Sequence, residues 1–427
     1  MNARDDAHAI WSAAVRAANP ERLVREALAS DPLPPARRLI VVGAGKAGAA
    51  MAAGLEAALA DRLDTATGLV NVPAGLDGKL SRIRLHAARP AGLNEPTAAG
   101  VAGAEEMLRL LADTGPDDVA VCLLSGGGSA LLPAPADGIT LDDKLAVTRM
   151  LHRSGATIDE MNCVRKHLSR VKGGRLAAAF RGKLLLTLIV SDVVGDPLDV
   201  IASGPTAPDP TTFADAVAVL ARYGLTDRVP HAVNELLTRG AAETLKALPP
   251  NVVNRVIGSN RVALDAAAAE AEWRGYRVLD LGAFVEGETA AVAMAVAGVV
   301  RSICRDGKPL AAPACVLIGG ETTVTLGDAP GKGGRNQEFV LALMLKLAAT
   351  PGGLEGVTVL SGGTDGEDGP TDAAGALADA GTLARGRDAA DYLRRHDAYP
   401  YFAATGDLLT PGLTGTNVMD VRVVLVR

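Results

Sequence analysis

Lys46 sits inside a run of glycines, Gly43-Ala44-Gly45-Lys46-Ala47-Gly48, directly after the apolar stretch Leu39 to Val42. Gly43, Gly45 and Gly48 fit Gly-x-Gly-x-x-Gly, and an Ala-rich, helix-favouring segment follows. A glycine turn that leaves a strand and opens a helix directs backbone N–H groups outward at the positive end of the helix dipole, where phosphate binds. Lys46 adds a mobile ammonium, so Gly43, Gly45 and Lys46 are candidate phosphate-contacting residues, with a solvated cation beside a packing turn as the plainer reading. Dinucleotide folds place an acid after the next strand to hold the ribose. Here that strand, Thr67 to Val72, ends in Asn71-Val72-Pro73. The turn therefore suits phosphoryl groups better than a nicotinamide dinucleotide, and it is not a Walker A loop, which needs Gly-x-x-x-x-Gly-Lys-Ser/Thr.

A second glycine turn, Ser125-Gly126-Gly127-Gly128-Ser129, ends the apolar run Val119 to Leu124, with Ala130-Leu131-Leu132 expected to continue the strand. Two hydroxyls among three glycines make an anion cradle; a serine nucleophile would call for Gly-x-Ser-x-Gly, which is not matched. Leu184 to Val190 is followed by Ser191-Asp192-Val193-Val194-Gly195-Asp196. A carboxylate just past a buried strand is placed to hold magnesium beside phosphates, which makes Asp192 the first metal candidate, or else a cap for the next turn. Arg165, Lys166, Arg170, Lys172 and Arg175 crowd a segment read as helical over residues 141–180. In an acidic chain such a cluster steers anions, or is simply a solvated face. Farther on, Gly331-Lys332-Gly333-Gly334-Arg335-Asn336-Gln337-Glu338 opens a helix with an arginine and free amides, another anion site by pattern. Asp365, in Ser361-Gly362-Gly363-Thr364-Asp365, is the acid nearest its strand and a candidate for metal or base work. Asn260 reads as a helix cap or a ligand donor.

These turns need strands and helices to hold them. Strand-like segments at 67–72, 82–86, 119–124 and 184–190 alternate with helical segments, the pattern of a doubly wound parallel sheet. A helix over 5–29, interrupted at Pro20, precedes them. A compositional shift at Asp306 to Pro313 places a boundary between an N-terminal Rossmann-like region, 1–305, and a C-terminal α/β domain, 312–427. The 427 residues carry a formal charge of -6 with no basic block or aromatic platform, which argues against nucleic acid. No run approaches the roughly 20 apolar residues of a membrane helix. Four scattered cysteines and no signal-like start point to a reduced, cytoplasmic protein.

Taken in order, the blocks Gly43-Ala-Gly-Lys-Ala, Ser125-Gly-Gly-Gly-Ser-Ala-Leu-Leu, Asn162 to Gly174, Ser191-Asp-Val-Val-Gly-Asp, Ser203-Gly-Pro-Thr, Gly320-Glu-Thr-Thr-Val, Gly333-Gly-Arg-Asn-Gln-Glu, Ser361-Gly-Gly-Thr-Asp-Gly and Gly415-Thr-Asn-Val resemble the class II glycerate kinases, also called the MOFRL family. The resemblance covers nearly the whole chain. It implies two α/β domains with the active site in the cleft between them, and transfer of phosphate from ATP to the 2-hydroxyl of D-glycerate with Mg2+. Lys46 and Arg335 take the places of the family's essential lysine and arginine. Asp192 is grouped with them as catalytic, with Asp192 and Asp365 as metal ligands. Gly43, Gly45, Ser125, Gly126, Gly127, Gly128, Ser129, Asn260, Glu321, Gly333, Gly334 and Asp365 are assigned to the nucleotide, and Arg165 and Lys166 to the glycerate carboxylate. One block departs: where the family shows His-Pro-x-Pro-Asp, this chain has Arg89-Pro90-Ala91-Gly92-Leu93-Asn94-Glu95-Pro96. Oligomeric state is left open, a homodimer included. The rival readings are an NAD(P)H-dependent hydroxypyruvate reductase and a non-catalytic sensor of nucleotides or organic acids.

Overall fold

The computed structural model describes residues 2–240, 242–327 and 330–427. The chain folds as two compact units, Pro20–Ile257 and Met1–Asn19 with Gly258–Arg427.

The first unit is built on a six-stranded sheet. Its strands are β1 (Leu39–Ala44), β2 (Ala66–Pro73), β3 (Ile83–Arg89), β4 (Val119–Leu124), β5 (Leu184–Val190) and β6 (Val252–Gly258). Their order is β3-β2-β1-β4-β5-β6, and the pairs β1/β2, β1/β4, β2/β3 and β4/β5 are parallel. This is the Rossmann order, with its reversal of winding between β1 and β4. Residues 39–44 and 119–124 are buried throughout, as strands covered on both faces must be. The helices Gly48–Leu59 and Ala98–Ala112 pack beside them. Gly48 permits that approach, since a β-carbon there would lie 2.8 Å from Val70 Cγ1.

The second unit has its own six-stranded sheet, in the order β11-β10-β9-β12-β8-β7. The strands are β7 (Arg277–Asp280), β8 (Ala314–Ile318), β9 (Val357–Gly363), β10 (Gly375–Asp379), β11 (Leu408–Leu409) and β12 (Asp420–Val426). Only β7/β8 is parallel; β12 runs antiparallel to both β8 and β9. The helix Arg335–Ala348 lies in the core of this unit, with Phe339, Leu343 and Met344 fully buried.

Residues 306–313, where the composition shifts, link helix Thr289–Asp306 to β8. Three expectations change. The first helix, Ala3–Ala17, belongs to the second unit: Trp11 Nε1 donates to Gly362 O at 3.1 Å, and buried Asp6 binds Arg274, Tyr276 and Arg427. Pro20 thus marks a passage between units. Residues 141–180 form separate helices, Leu141–Arg153, Ile158–His167 and Arg175–Ala178, so Arg165/Ser169 and Lys166/Arg170 are not helical neighbours. Residues 128–131 turn into a short helix instead of continuing β4. Among the described residues no helix is long and apolar enough to cross a membrane.

Candidate active site

In open α/β sheets, ligands bind outside the carboxyl ends of the strands at the point where the winding reverses. The turns after β1 and β4 meet there. Lys46 N donates to Gly126 O at 2.8 Å, Ser125 N to Ala44 O at 3.2 Å, and Ala47 N to Ser125 Oγ at 3.0 Å. Gly45 N donates to Asn71 O and Gly48 N to Gly45 O. The amides of residues 45–48 are therefore spent on the turn itself, and it is the Lys46 side chain, exposed to solvent, that the turn presents. Gly43 lies inside β1, where a β-carbon would sit 2.3 Å from Leu123 O, and Gly45 packs on Ser125 Oγ. Both glycines serve close packing.

Ser125 N is bonded to Ala44 O and Gly128 N to Ser125 O, whereas the amides of Gly126, Gly127 and Ser129 take no part in these bonds. A β-carbon at Gly126 would lie 2.1 Å from Asp192 Oδ2, so the Asp192 carboxylate rests directly on the cradle. A β-carbon at Gly127, whose φ is 73°, would border Cγ of Lys46 and Nη2 of Arg89. This local density of backbone and charge is why glycine occupies these positions.

Beyond Gly127 a cavity of about 230 Å³ is lined by Ser129, Lys144, Arg165 and Lys172, with the Glu95–Arg149 ion pair also on its wall. Ser129 is the hub. Its hydroxyl receives hydrogen bonds from Lys172 Nζ at 2.9 Å and from Arg165, and lies 2.9 Å from Ser203 Oγ. Lys172 Nζ also donates to the carbonyls of Ser129 and Ala202. Ala202 and Ser203 hold left-handed backbone angles, φ 52° and 62°. Such conformations cost energy outside glycine and cluster at functional sites. Lys144 is 7% exposed and its Nζ has no hydrogen-bond partner among the described residues. Burial, with the charges of Arg165 and Arg175, pushes its ammonium down to about 7. Burial and the neighbouring cations also pull Lys172 well below the ordinary lysine value. A buried pocket with this excess of positive charge is suited to a small anion.

Sequence reading singled out Arg165 but passed over Lys144, and it saw Lys172 only as part of a basic run. Lys166, grouped with Arg165, is engaged elsewhere: Nζ is bonded to Asp199 at 3.0 Å and to buried Asp209 at 3.2 Å.

In the second unit Arg335 begins its helix. Nε and Nη2 form a fork on Asp420, at 2.8 and 3.1 Å, and Nη1 reaches Glu321 at 2.8 Å. Burial opposes the guanidinium charge, but these acids outweigh it and hold Arg335 above its ordinary value. The anion expected at this helix start is the protein's own. Asp368 accepts the amides of Asn336 and Gln337 at 3.0 and 2.9 Å. Burial raises its carboxyl to about 6 despite those two bonds. Gly334 is the helix cap, and a β-carbon on it would meet Asp368 Oδ1 at 2.3 Å; Gly333 lies against Gly369. Asn260 gives both amide hydrogens to the carbonyls of Val418 and Asp420 and accepts Gly320 N, so it stitches backbone and has no hydrogen left for a ligand.

The two metal candidates lie in different units, Asp192 after β5 and Asp365 after β9. Among the described residues no three His, Cys, Asp or Glu side chains gather as a ready metal cage. Magnesium in nucleotide sites takes one or two carboxylates together with phosphate oxygens. Asp192, seated on the Gly126 cradle, fits that arrangement.

Comparison with known proteins places the chain in a family. Residues 6–238 match the family model described as a domain of unknown function, DUF4147, and residues 314–420 match the MOFRL family. A glycerate 2-kinase of Pyrococcus horikoshii is 39% identical, over 91% of this chain and 87% of its own. A protein of Agrobacterium vitis named putative hydroxypyruvate reductase is 45% identical, over 100% of this chain and 95% of its own. The crystal structure of a glycerate kinase from Thermotoga maritima superposes with a TM-score of 0.91 at 35% identity, covering 99% of both chains. With its Rossmann-ordered sheet, its cationic pocket and its MOFRL domain, the chain belongs to the glycerate kinase family.

Proposed function

We propose that the protein transfers the γ-phosphoryl group of ATP to the 2-hydroxyl of D-glycerate, yielding 2-phosphoglycerate and ADP. The observation that carries this reading is the buried pocket of Lys144, Arg165 and Lys172 around Ser129, whose charge and size suit a short hydroxy acid. The carboxylate would accept hydrogen bonds from Lys144 and Arg165, which orients the acceptor, while Lys172, its three N–H groups engaged by Ser129 and Ala202, holds the pocket wall. Phosphoryl transfer needs positioning and charge neutralisation more than covalent chemistry. Lys46, on its short turn, supplies a mobile cation to the phosphoryl oxygens, and the amides of Gly126, Gly127 and Ser129 supply donors. Asp192 would hold Mg2+, which neutralises phosphate charge when bound. Arg335, pinned by Asp420 and Glu321, is a second candidate cation for the reaction. Asp192 and Asp365 remain the carboxylates offered for the hydroxyl proton.

The reductase name carried by a relative calls for a dinucleotide. The edge of β2 argues against one: the acid that would hold the ribose is replaced by Asn71, whose amide is bonded to Gly100 O and Leu131 O. The test is a product assay with D-glycerate, ATP and magnesium, coupled to enolase without a mutase. Phosphoenolpyruvate formation identifies 2-phosphoglycerate as product. ADP without phosphoenolpyruvate points to another acceptor position, and NADH oxidation by hydroxypyruvate without ADP overturns the reading.

A further inference from the structure

Arg89 is the last residue of β3 and stands at the same strand edge as the Lys46 turn and the Ser125–Ser129 loop. It is 4% exposed, and its Nε has no hydrogen-bond partner among the described residues. Burial is the one influence on its basicity, which falls below the ordinary arginine value with no carboxylate to offset it. Arg38 and Arg149 of this unit are paired instead, Arg38 with Asp118 and Asp113 and Arg149 with Glu95. A guanidinium taken out of water without a counter-charge is strongly unfavourable. An anion arriving beside it removes that penalty. The direction of approach is set by Gly127, where a β-carbon would lie 3.5 Å from Arg89 Nη2 and 3.3 Å from Lys46 Cγ. The left-handed φ of 73° at Gly127 disfavours any side chain there, so the two cations flank a position that carries none.

We propose that Arg89 is a phosphoryl-binding residue, working with Lys46 across Gly127 on the oxygens of the transferred group and not on the acceptor carboxylate. The inference rests on the kinase reading above. The carboxylate already has its own donors in Lys144 and Arg165 beside Ser129, whereas Arg89 borders Lys46. A planar guanidinium fork also matches phosphate oxygens in pairs.

The experiment is titration calorimetry on the full chain without nucleotide, using 2-phosphoglycerate and D-glycerate as separate probes. Arg89→Met is expected to weaken 2-phosphoglycerate about tenfold or more, as for loss of a charge-assisted hydrogen bond, and to leave D-glycerate within a factor of about three. Arg89→Lys, which keeps the charge but not the fork, falls between. The ligand-free Arg89→Met protein should melt at or above the wild-type temperature, because an uncompensated buried charge has gone; a structural arginine would give the opposite shift. Equal weakening of both probes puts Arg89 on the carboxylate, and unchanged 2-phosphoglycerate binding removes it from the site. Either result overturns the proposal, as does a lowered melting temperature in both variants. Wild-type protein that binds neither probe and yields no phosphoenolpyruvate overturns the kinase reading itself.

Discussion

Lys172 Nζ lies 2.9 Å from Ser129 Oγ, and the same oxygen takes a hydrogen bond from Arg165. A hydroxyl that accepts from two cations has one hydrogen to give, and Ser203 Oγ stands 2.9 Å away to take it. Ser203 donates in turn to Asn162 Oδ1 at 3.1 Å. Ser129 therefore holds two basic side chains in place with a neutral hydroxyl and not a carboxylate, and their positions are fixed before a ligand arrives.

Ser129→Ala removes that hub and leaves Lys172 and Arg165 without a common anchor. The expected result is a KM for D-glycerate raised about tenfold to a hundredfold, the range for hydrogen bonds to charged groups. The KM for ATP should change far less, and kcat should fall by a smaller factor than affinity. Steady-state kinetics with each substrate varied separately decides it. If the ATP constant moves as much as that for glycerate, Ser129 serves the nucleotide instead.

Lys144 makes binding pH-dependent, and the sign follows from its pKa. The free protein holds this ammonium at about 7 by burial and by the charges of Arg165 and Arg175. An anion in the pocket favours the charged form, so binding takes up a proton between pH 7 and the ordinary lysine range. Affinity for D-glycerate should fall as pH rises above 7. In the ligand-free protein the unfolded chain holds this proton more tightly than the folded one, so stability should rise with pH over the same window. Calorimetry in buffers of different ionisation enthalpy measures the proton uptake. Lys144→Met should abolish it; uptake that persists in this variant would assign the proton to another group.

Much of this architecture is legible from composition and pattern. The apolar runs at 119–124 and 184–190 are β4 and β5 residue for residue, because strands covered on both faces carry no alternation to blur their ends. β10, Gly-Ala-Leu-Ala-Asp, is not legible: it has no β-branched or aromatic residue and is specified by its pairing with β9. The placement of helix Ala3–Ala17 depends on partners such as Gly362 and Arg274, more than 250 residues away. In the site, the glycine turns mark the reversal point of the sheet. Lys144 and Arg89 carry no such mark, since a lone cation on a helix or at a strand end looks solvated until its burial is known. The loop acids show the same limit. Asp365 is nearer the strand in sequence, yet Asp368 is the buried one, selected by the amides of Asn336 and Gln337.

Asp118 precedes β4 and fixes its entry. Its fully buried carboxylate takes hydrogen bonds from Arg37, Arg38 and Gly115 N. The Arg38 hydrogen bonds, set against burial, hold it far below the usual carboxylate range. A depressed pKa contributes stability that is complete above the unfolded value near 3.8 and is lost as pH falls below it. Asp118→Asn should destabilise by about 2 kcal/mol at pH 7, as for loss of hydrogen bonds to a charged group. Urea unfolding of both proteins at pH 7 and pH 3 tests this. The gap should narrow at the lower pH, and a gap independent of pH would mean that shape, not charge, is what the asparagine disturbs.

Arg335 offers the sharpest separation of catalysis from stability. Asp420 does not depend on it alone: Arg422 Nη2 reaches the same carboxylate at 2.9 Å and Asn336 Nδ2 at 2.8 Å. Arg335→Lys loses the fork on Asp420, since an ammonium cannot reproduce two parallel N–H bonds. Arg422 and Asn336 should nonetheless keep Asp420 paired, so the unfolding midpoint in urea should move little. If Arg335 directs an N–H donor at the reacting phosphoryl group, kcat should fall by about a hundredfold, the usual effect of removing one such donor. The fall should appear in kcat more than in either KM, because the interaction strengthens as the transition state forms. A variant with a markedly lower unfolding midpoint and normal turnover per folded molecule would make Arg335 a strut for Asp420 and Glu321, and would leave Lys46 as the cation on which the chemistry depends.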